Sequence, residues 1–412
     1  MRNNRAVTRP ARALLPLGLG TALSLMGDAT LYTILPTHTA EAGIALGSVG
    51  IILGVNRAIR LVSNGPTGLA YDRWPRRRLF IPALFIGALS TAVYAATRGF
   101  WPLLVGRLLW GLAWSGIWVG GATIVLDVTT DQDRGRWTGL YQTWFFLGAA
   151  FGAFVGGLLT DWLGYTATMW IGAAATASGG LAALFLLPET HSTRPLPVVS
   201  PTKVTTSRLR PSASLWIAVS LQGVNRFVTA GVLSATMALL VKERLGSTNL
   251  ALGVATLTGV LMAGRTLLST VSAPVAGTLS DWLKSRWQVT TGGVAIGIVS
   301  MALLAWNKPA AILAGVSLAA VTGGTVQSLV IALTGDLVSQ AQRGRAIGLL
   351  HTAGDFGSAV GPPIAYALIP GIGLPGVYLL CAGLFTTALL SMVLLRRHAA
   401  PVRSCDARQS RV

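Results

Sequence analysis

The chain has 412 residues, 52% hydrophobic and only 11% charged, with a formal net charge of +19. An ordinary soluble domain carries about 25% charged residues, and a chain this apolar cannot cover its own surface in water. That excludes a soluble globular protein and leaves an integral membrane protein with a strong basic bias. Two cysteines, Cys381 and Cys405, exclude a disulfide framework.

In chain order, apolar segments fall at roughly 13–36, 42–64, 79–97, 101–125, 137–159, 166–187, 214–241, 249–273, 288–306, 309–333, 345–369 and 374–395. Each is close to the ~20 residues a helix needs to cross the hydrocarbon. The predicted fold is all-α with twelve transmembrane helices. The first segment follows four arginines, as a signal peptide would. It is too long, carries Asp28 and has no small-residue cleavage site, so it reads as a true span. Residues 188–213 are polar and rich in proline, which marks a linker. The chain divides into a first six-helix half (1–187), a cytoplasmic linker (188–213), a second half (214–396) and a basic tail (397–412).

Twenty-three of the 32 lysines and arginines fall on one face of this topology, four on the other and five inside spans. The asymmetry puts both termini in the cytoplasm of a plasma-membrane protein. It also accounts for the basic excess without a nucleic-acid partner. The expected partners are the bilayer and a small-molecule substrate, with the chain acting as a monomer.

Charged residues inside spans are costly and are functional by default. Among the acids, Asp28 and Asp355 lie well inside spans. Asp28 and Arg107 stand at similar depth and are expected to pair. Asp355 and Arg265 form the second expected pair. Arg226 in span seven offers a counter-charge to a substrate carboxylate or to Asp355. Arg60 lies near enough to the cytoplasmic end to snorkel and is read as outside the site; Arg57 is left open. Tyr32 shares the face of Asp28, and His351 shares that of Asp355. Arg107 shares its face with Trp110 and Trp114, read either as packing or as an aromatic cavity wall. An aspartate in an apolar cavity changes its proton affinity as water and arginine come and go. Asp28 and Asp355 are therefore the proton-carrier candidates, with a static helix-pinning pair as the alternative.

The two halves repeat at an offset of 209 residues. Asp72 matches Asp281, Asp127 matches Asp336, and Gly148 and Gly152 match Gly357 and Gly361. Parallel six-span repeats enclose a midplane site and rock around it.

The loop Gly68-Leu69-Ala70-Tyr71-Asp72-Arg73-Trp74-Pro75-Arg76-Arg77, with the degenerate copy Gly277-Thr278-Leu279-Ser280-Asp281, resembles the signature of the major facilitator superfamily. Span five adds Gly139, Gly148, Gly152, Gly156 and Gly157, which resemble the antiporter glycine pattern with Ala153 in place of its proline. Gly357, Gly361 and Pro362 are the remnant in span eleven. Gly148, Gly152 and Gly156 share one helix face and suit either sliding between the halves or ordinary close packing. Similarity to drug:proton antiporters implies gating by Gly68, Asp72, Arg73, Arg76 and Asp127, with Gly277, Asp281 and Asp336 as symmetric partners. Asp72 is expected to cap the cytoplasmic end of span eleven.

No phosphate-cradling loop or metal-ligand cluster is visible, so an enzyme is not expected and no cofactor is needed beyond a proton gradient. The reading is proton-coupled efflux of small, lipophilic or aromatic organic compounds. The alternatives are a proton-coupled symporter importing a sugar, carboxylate or other metabolite, and a receptor or scaffold that does not transport.

Overall fold

The structure is a computed structural model that describes residues 10–130, 132–190, 212–245, 252–306, 308–339 and 342–399. The first three arginines, most of the proline-rich linker, Cys405 and the basic tail lie outside these residues. The first half contains α1 (Pro10–Ile34), the single turn α2 (Thr39–Ala42), α3 (Leu46–Arg73), α4 (Arg76–Ala96), α5 (Phe100–Val128) and α6 (Arg134–Leu186). The second contains α7 (Ala213–Asn225), a π-helical segment (Arg226–Leu233), α8 (Ser234–Arg244), α9 (Val254–Trp282), α10 (Arg286–Trp306), α11 (Pro309–Leu337) and α12 (Arg343–Ala399).

Local chemistry sets several of these boundaries. Ser212 Oγ accepts from Leu215 N at 3.2 Å and caps α7. Gly99, at φ 105°, precedes α5, and Pro309 opens α11. Glu189 Oε1 and Oε2 accept from Arg76 N at 2.9 Å and Arg77 N at 3.2 Å, placing a carboxylate on the positive end of α4.

Among the described residues, ten helical stretches are long and apolar enough to cross a membrane. The difference from the twelve predicted segments has a clear origin. Segments five and six are two helices, grouped here as α6, that meet at a reversal at Gly164 (φ 82°, ψ 171°), because both parts run along α1 in opposite directions. Segments eleven and twelve, grouped here as α12, are likewise two helices that meet at Gly373 (φ 67°, ψ 175°). Only glycine adopts this backbone readily. The two breaks are separated by the repeat offset itself.

The repeat also appears in the packing. Gly148 and Gly152 of α6 rest on Ala22 and Met26 of α1; Gly357 and Gly361 of α12 rest on Gly223 and Phe227 in the α7 region. Between the halves, Gly50 of α3 sits on Pro362 and Pro363 of α12, and Gly259 of α9 sits on Ala153 and Phe154 of α6. The second contact is the first displaced by one repeat on both partners. The absent side chains let these backbones approach closely.

Asp161, near the Gly164 break, adds a polar contact between the halves. Its Oδ2 accepts from Thr256 N at 2.7 Å and from Thr256 Oγ1 at 2.6 Å, at the first turn of α9. These inter-half contacts lie between mid-membrane and the Gly164 end. Toward the opposite end, where the 73–76 and 282–286 loops lie, Gly68, Gly277 and Gly348 have open space where a Cβ would stand. Among the described residues, these contacts between the halves lie toward the Gly164 end and do not reach the 73–76 and 282–286 loops.

Candidate functional site

The α1 and α5 helices each place one charge in the interior, and the two meet. Arg107 Nη1 donates to Asp28 Oδ1 at 2.5 Å, as their matching depths predict. The Arg107 side chain is 0% exposed and that of Asp28 17%. Arg107 Nε also donates to Ile52 O at 3.2 Å. Tyr32, one turn along from Asp28, lies beneath two guanidinium groups: Arg107 Cζ is 5.1 Å from its ring and Arg57 Cζ 5.2 Å. Such stacking offsets part of the cost of burying the cations. Tyr32 Oη donates to Leu53 O at 2.7 Å, which fixes the ring.

Arg57 carries this polar band into the second half. Its Nη1 donates at 2.6 Å to Ala230 O, a carbonyl of the π segment. Arg265 of α9 serves the same segment, donating to Thr229 O at 2.7 Å and Ser234 Oγ at 2.8 Å.

That arrangement corrects two expectations. Asp355 does not pair with Arg265; it accepts from Arg60 of α3, bridging the two halves. Arg60 is thus part of the site rather than a snorkelling anchor. The reason is the length of α3. The apolar segment reads as ending at residue 64, but the helix passes through Pro66 and runs to Arg73. Arg60 therefore stands at its middle, level with Asp355. Arg226, at the start of the π segment, packs with Gln222 against Gly354 of α12. Arg57, Arg60, Arg265 and Asp355 all lie close enough to act on its charge. His351 is exposed, one turn from Asp355 and within its electrostatic reach.

Trp110 and Trp114 do not form a cavity wall. They are 2% and 8% exposed and belong to the core of the first half, with Trp110 against Gly87 of α4. Trp110, Trp114 and Trp118 stack in a column with centroid spacings of 5.9 and 5.8 Å. The glycine face is likewise internal: Gly148, Gly152 and Gly156 pack on α1 of their own half. Gly157, one residue further round the helix, is the member that meets α9 of the other half, at Ala255. Gly139 has open space around it.

The expected gate residues divide. Arg76 Nε donates to Asp127 Oδ2 at 2.8 Å inside the first half, and Arg286 pairs with Asp336 at 2.8 Å inside the second. Asp72, Arg73 and Asp281 are exposed. Asp72 has no hydrogen-bond or ion-pair partner among the described residues, so the predicted cap on span eleven is not made here. The contacts between the halves described above do not reach this end, which accounts for that. Asp161, whose contact holds the opposite end, was missed: an acid beside a span end reads as a loop residue until its partner helix is known.

The described residues thus form a helical membrane protein of two repeated halves with buried charges where the halves meet. The family model described as Major Facilitator Superfamily matches residues 17–264 and 215–410, and the chain belongs to that superfamily. It is 29% identical over 130 residues to the probable 4-methylmuconolactone transporter of Cupriavidus pinatubonensis, covering 32% of this chain and 30% of that one. It is 31% identical over 110 residues to the class C tetracycline resistance protein of Escherichia coli, covering 27% and 28%. These matches span about a third of the relatives' lengths or less. The fold resembles a bacterial homologue of the human lysosomal transporter Spinster, with TM-score 0.79, 15% identity and coverage of 94% of this chain and 97% of that one. It also resembles the human organic anion transporter MFSD10, with TM-score 0.66, 19% identity and coverage of 93% and 99%. The protein is a multi-pass membrane protein of this superfamily.

Proposed function

We propose that the chain is a proton-coupled exporter of small organic compounds, working by alternating access in the plasma membrane. The observation that carries this reading is the Asp28–Arg107 pair, a partly accessible carboxylate held by a fully buried arginine inside the spans. Protonating Asp28 strips Arg107 of its counter-ion inside the membrane, which is costly unless the helices rearrange. Proton binding is thereby linked to conformation. With Gly164 and Gly373 as reversals, the chain crosses twelve times, and the basic loops put both termini in the cytoplasm. The conformation described is then the one open to the cytoplasm. The antiporter glycine pattern and the similarity to a tetracycline resistance protein favour export.

The test is a proton-flux measurement in inside-out vesicles, acid inside, with a pH-sensitive dye and a panel of organic compounds. Compounds that collapse the gradient with wild type but not with Asp28→Asn support the proposal. A gradient indifferent to the panel in both contradicts it. A second reading, proton-coupled import of a carboxylate, is favoured by the arginine excess inside the spans and the similarity to a muconolactone transporter. An importer of that kind dissipates the same gradient when substrate is loaded within the vesicles.

A further inference from the structure

Five arginines and two aspartates lie inside the spans. Asp28 is committed to Arg107 and Asp355 to Arg60. Arg57, Arg226 and Arg265 make no direct ion pair among the described residues, although the Asp355 carboxylate acts on Arg226 from a distance, and they converge on one place. Arg226 opens the π segment, Arg265 donates to its Thr229 carbonyl, and Arg57 reaches its Ala230 carbonyl from the other half. Arg57 and Arg265 both lie within electrostatic reach of Arg226. Arg226 has no hydrogen-bonded acceptor among the described residues.

The amides beside them are also unsatisfied. Asn225 is 0% exposed, yet neither its Nδ2 nor its Oδ1 has a partner; Gln222, 2% exposed, leaves Oε1 unpaired, and Arg265 leaves Nε unpaired. A buried polar group without a partner costs roughly 1–3 kcal/mol, and like charges at close range repel. Helix packing alone gives no reason to gather three cations and spare donors at one point. A guest carrying oxyanion charge compensates the cations and can accept from the two unpaired donors, Asn225 Nδ2 and Arg265 Nε.

We propose that the substrate of this transporter is a small organic anion, a carboxylate, bound between Arg57, Arg226 and Arg265 with Asn225 as an additional donor. The inference deepens the transport reading above and rests on it only for the name of substrate. Guanidinium groups match a carboxylate in planar, two-pronged geometry, which an ammonium does not. Arg57 comes from the first half, Arg226 and Arg265 from the second. An anion seated among them therefore draws charge from both sides of the rocking interface. The lipophilic cations typical of drug exporters are repelled by the same groups.

The experiment is thermal unfolding of the full chain purified in detergent, with benzoate, salicylate, succinate, inorganic phosphate, benzamide, tetraphenylphosphonium and phosphatidylglycerol as probes. The proposal predicts that at least one carboxylate raises Tm while benzamide and tetraphenylphosphonium do not. Arg226→Gln should weaken that carboxylate by about tenfold, the loss of one charge-assisted hydrogen bond, and Arg226→Lys should keep part of it. Elution as one symmetric species shows that each variant is folded. Stabilisation by benzamide or tetraphenylphosphonium alone overturns the proposal, as does carboxylate binding unchanged in Arg226→Gln. Stabilisation by phosphatidylglycerol alone reassigns the cluster to a lipid headgroup and also overturns it. A flat response to every probe overturns it too, because a preformed triple-arginine site is not indifferent to all oxyanions. The measurement needs no proton gradient, so anion binding without proton flux would sink the coupling and leave the substrate class standing.

Discussion

Asp28 and Asp355 differ in what they hold together. Asp28 ties α1 to α5 within one half, whereas Asp355 ties α12 to α3 across the two. Neutralising Asp355 therefore acts on the rocking interface directly. Asp355→Asn and Arg60→Ala are each expected to reduce transport by about tenfold or more, since removing one partner leaves a buried charge uncompensated. The exchange Arg60→Asp with Asp355→Arg should restore part of that activity, which substrate uptake into proteoliposomes would measure. Failure of the exchange to improve on either single variant would count against the bridge. The Asp28–Arg107 pair was legible in the sequence because both residues sit at a countable distance from the same membrane face. Arg60–Asp355 was not, because hydropathy ends α3 at its proline-containing stretch while the helix continues beyond it.

Element boundaries follow the same logic. Apolar segments show where a chain crosses a membrane, but not how it turns. The reversals at Gly164 and Gly373 take only a few residues, so the sequence separates the paired segments but not the glycine on which each turn pivots. Gly164→Ala and Gly373→Ala are expected to cost about 1–3 kcal/mol each, the strain of a non-glycine residue in that backbone region. Thermal unfolding in detergent would show it as a lower Tm, whereas an unchanged Tm in both would mean the turns relax freely. The π segment Arg226–Leu233 has no sequence signature. Its effect is to present carbonyls to Arg57 and Arg265, and that could be read only once the helices were placed.

At the scale of the molecule, the 209-residue repeat was readable from loop motifs and reappears in the contacts of Gly50 and Gly259. What the sequence left open was the state of the molecule: a gate motif names residues that meet in one conformation and part in another. Here Asp72 is free and Asp161 is engaged. Asp161→Ala removes the polar lock at the closed end and should raise the labelling rate of a cysteine placed at Ala255, which is buried beside it, read with a membrane-impermeant maleimide. An unaltered rate would show that the glycine contacts alone keep that end shut.

The most direct test of alternating access about these two halves is a distance measurement across the open end. Spin labels at Gly68→Cys and Gly348→Cys, in a background lacking Cys381 and Cys405, report the separation of α3 and α12 there. Alternating access predicts a long and a short distance, with the populations shifting as Asp28 is replaced by Asn. A single separation, unmoved by that substitution and by pH, would contradict it.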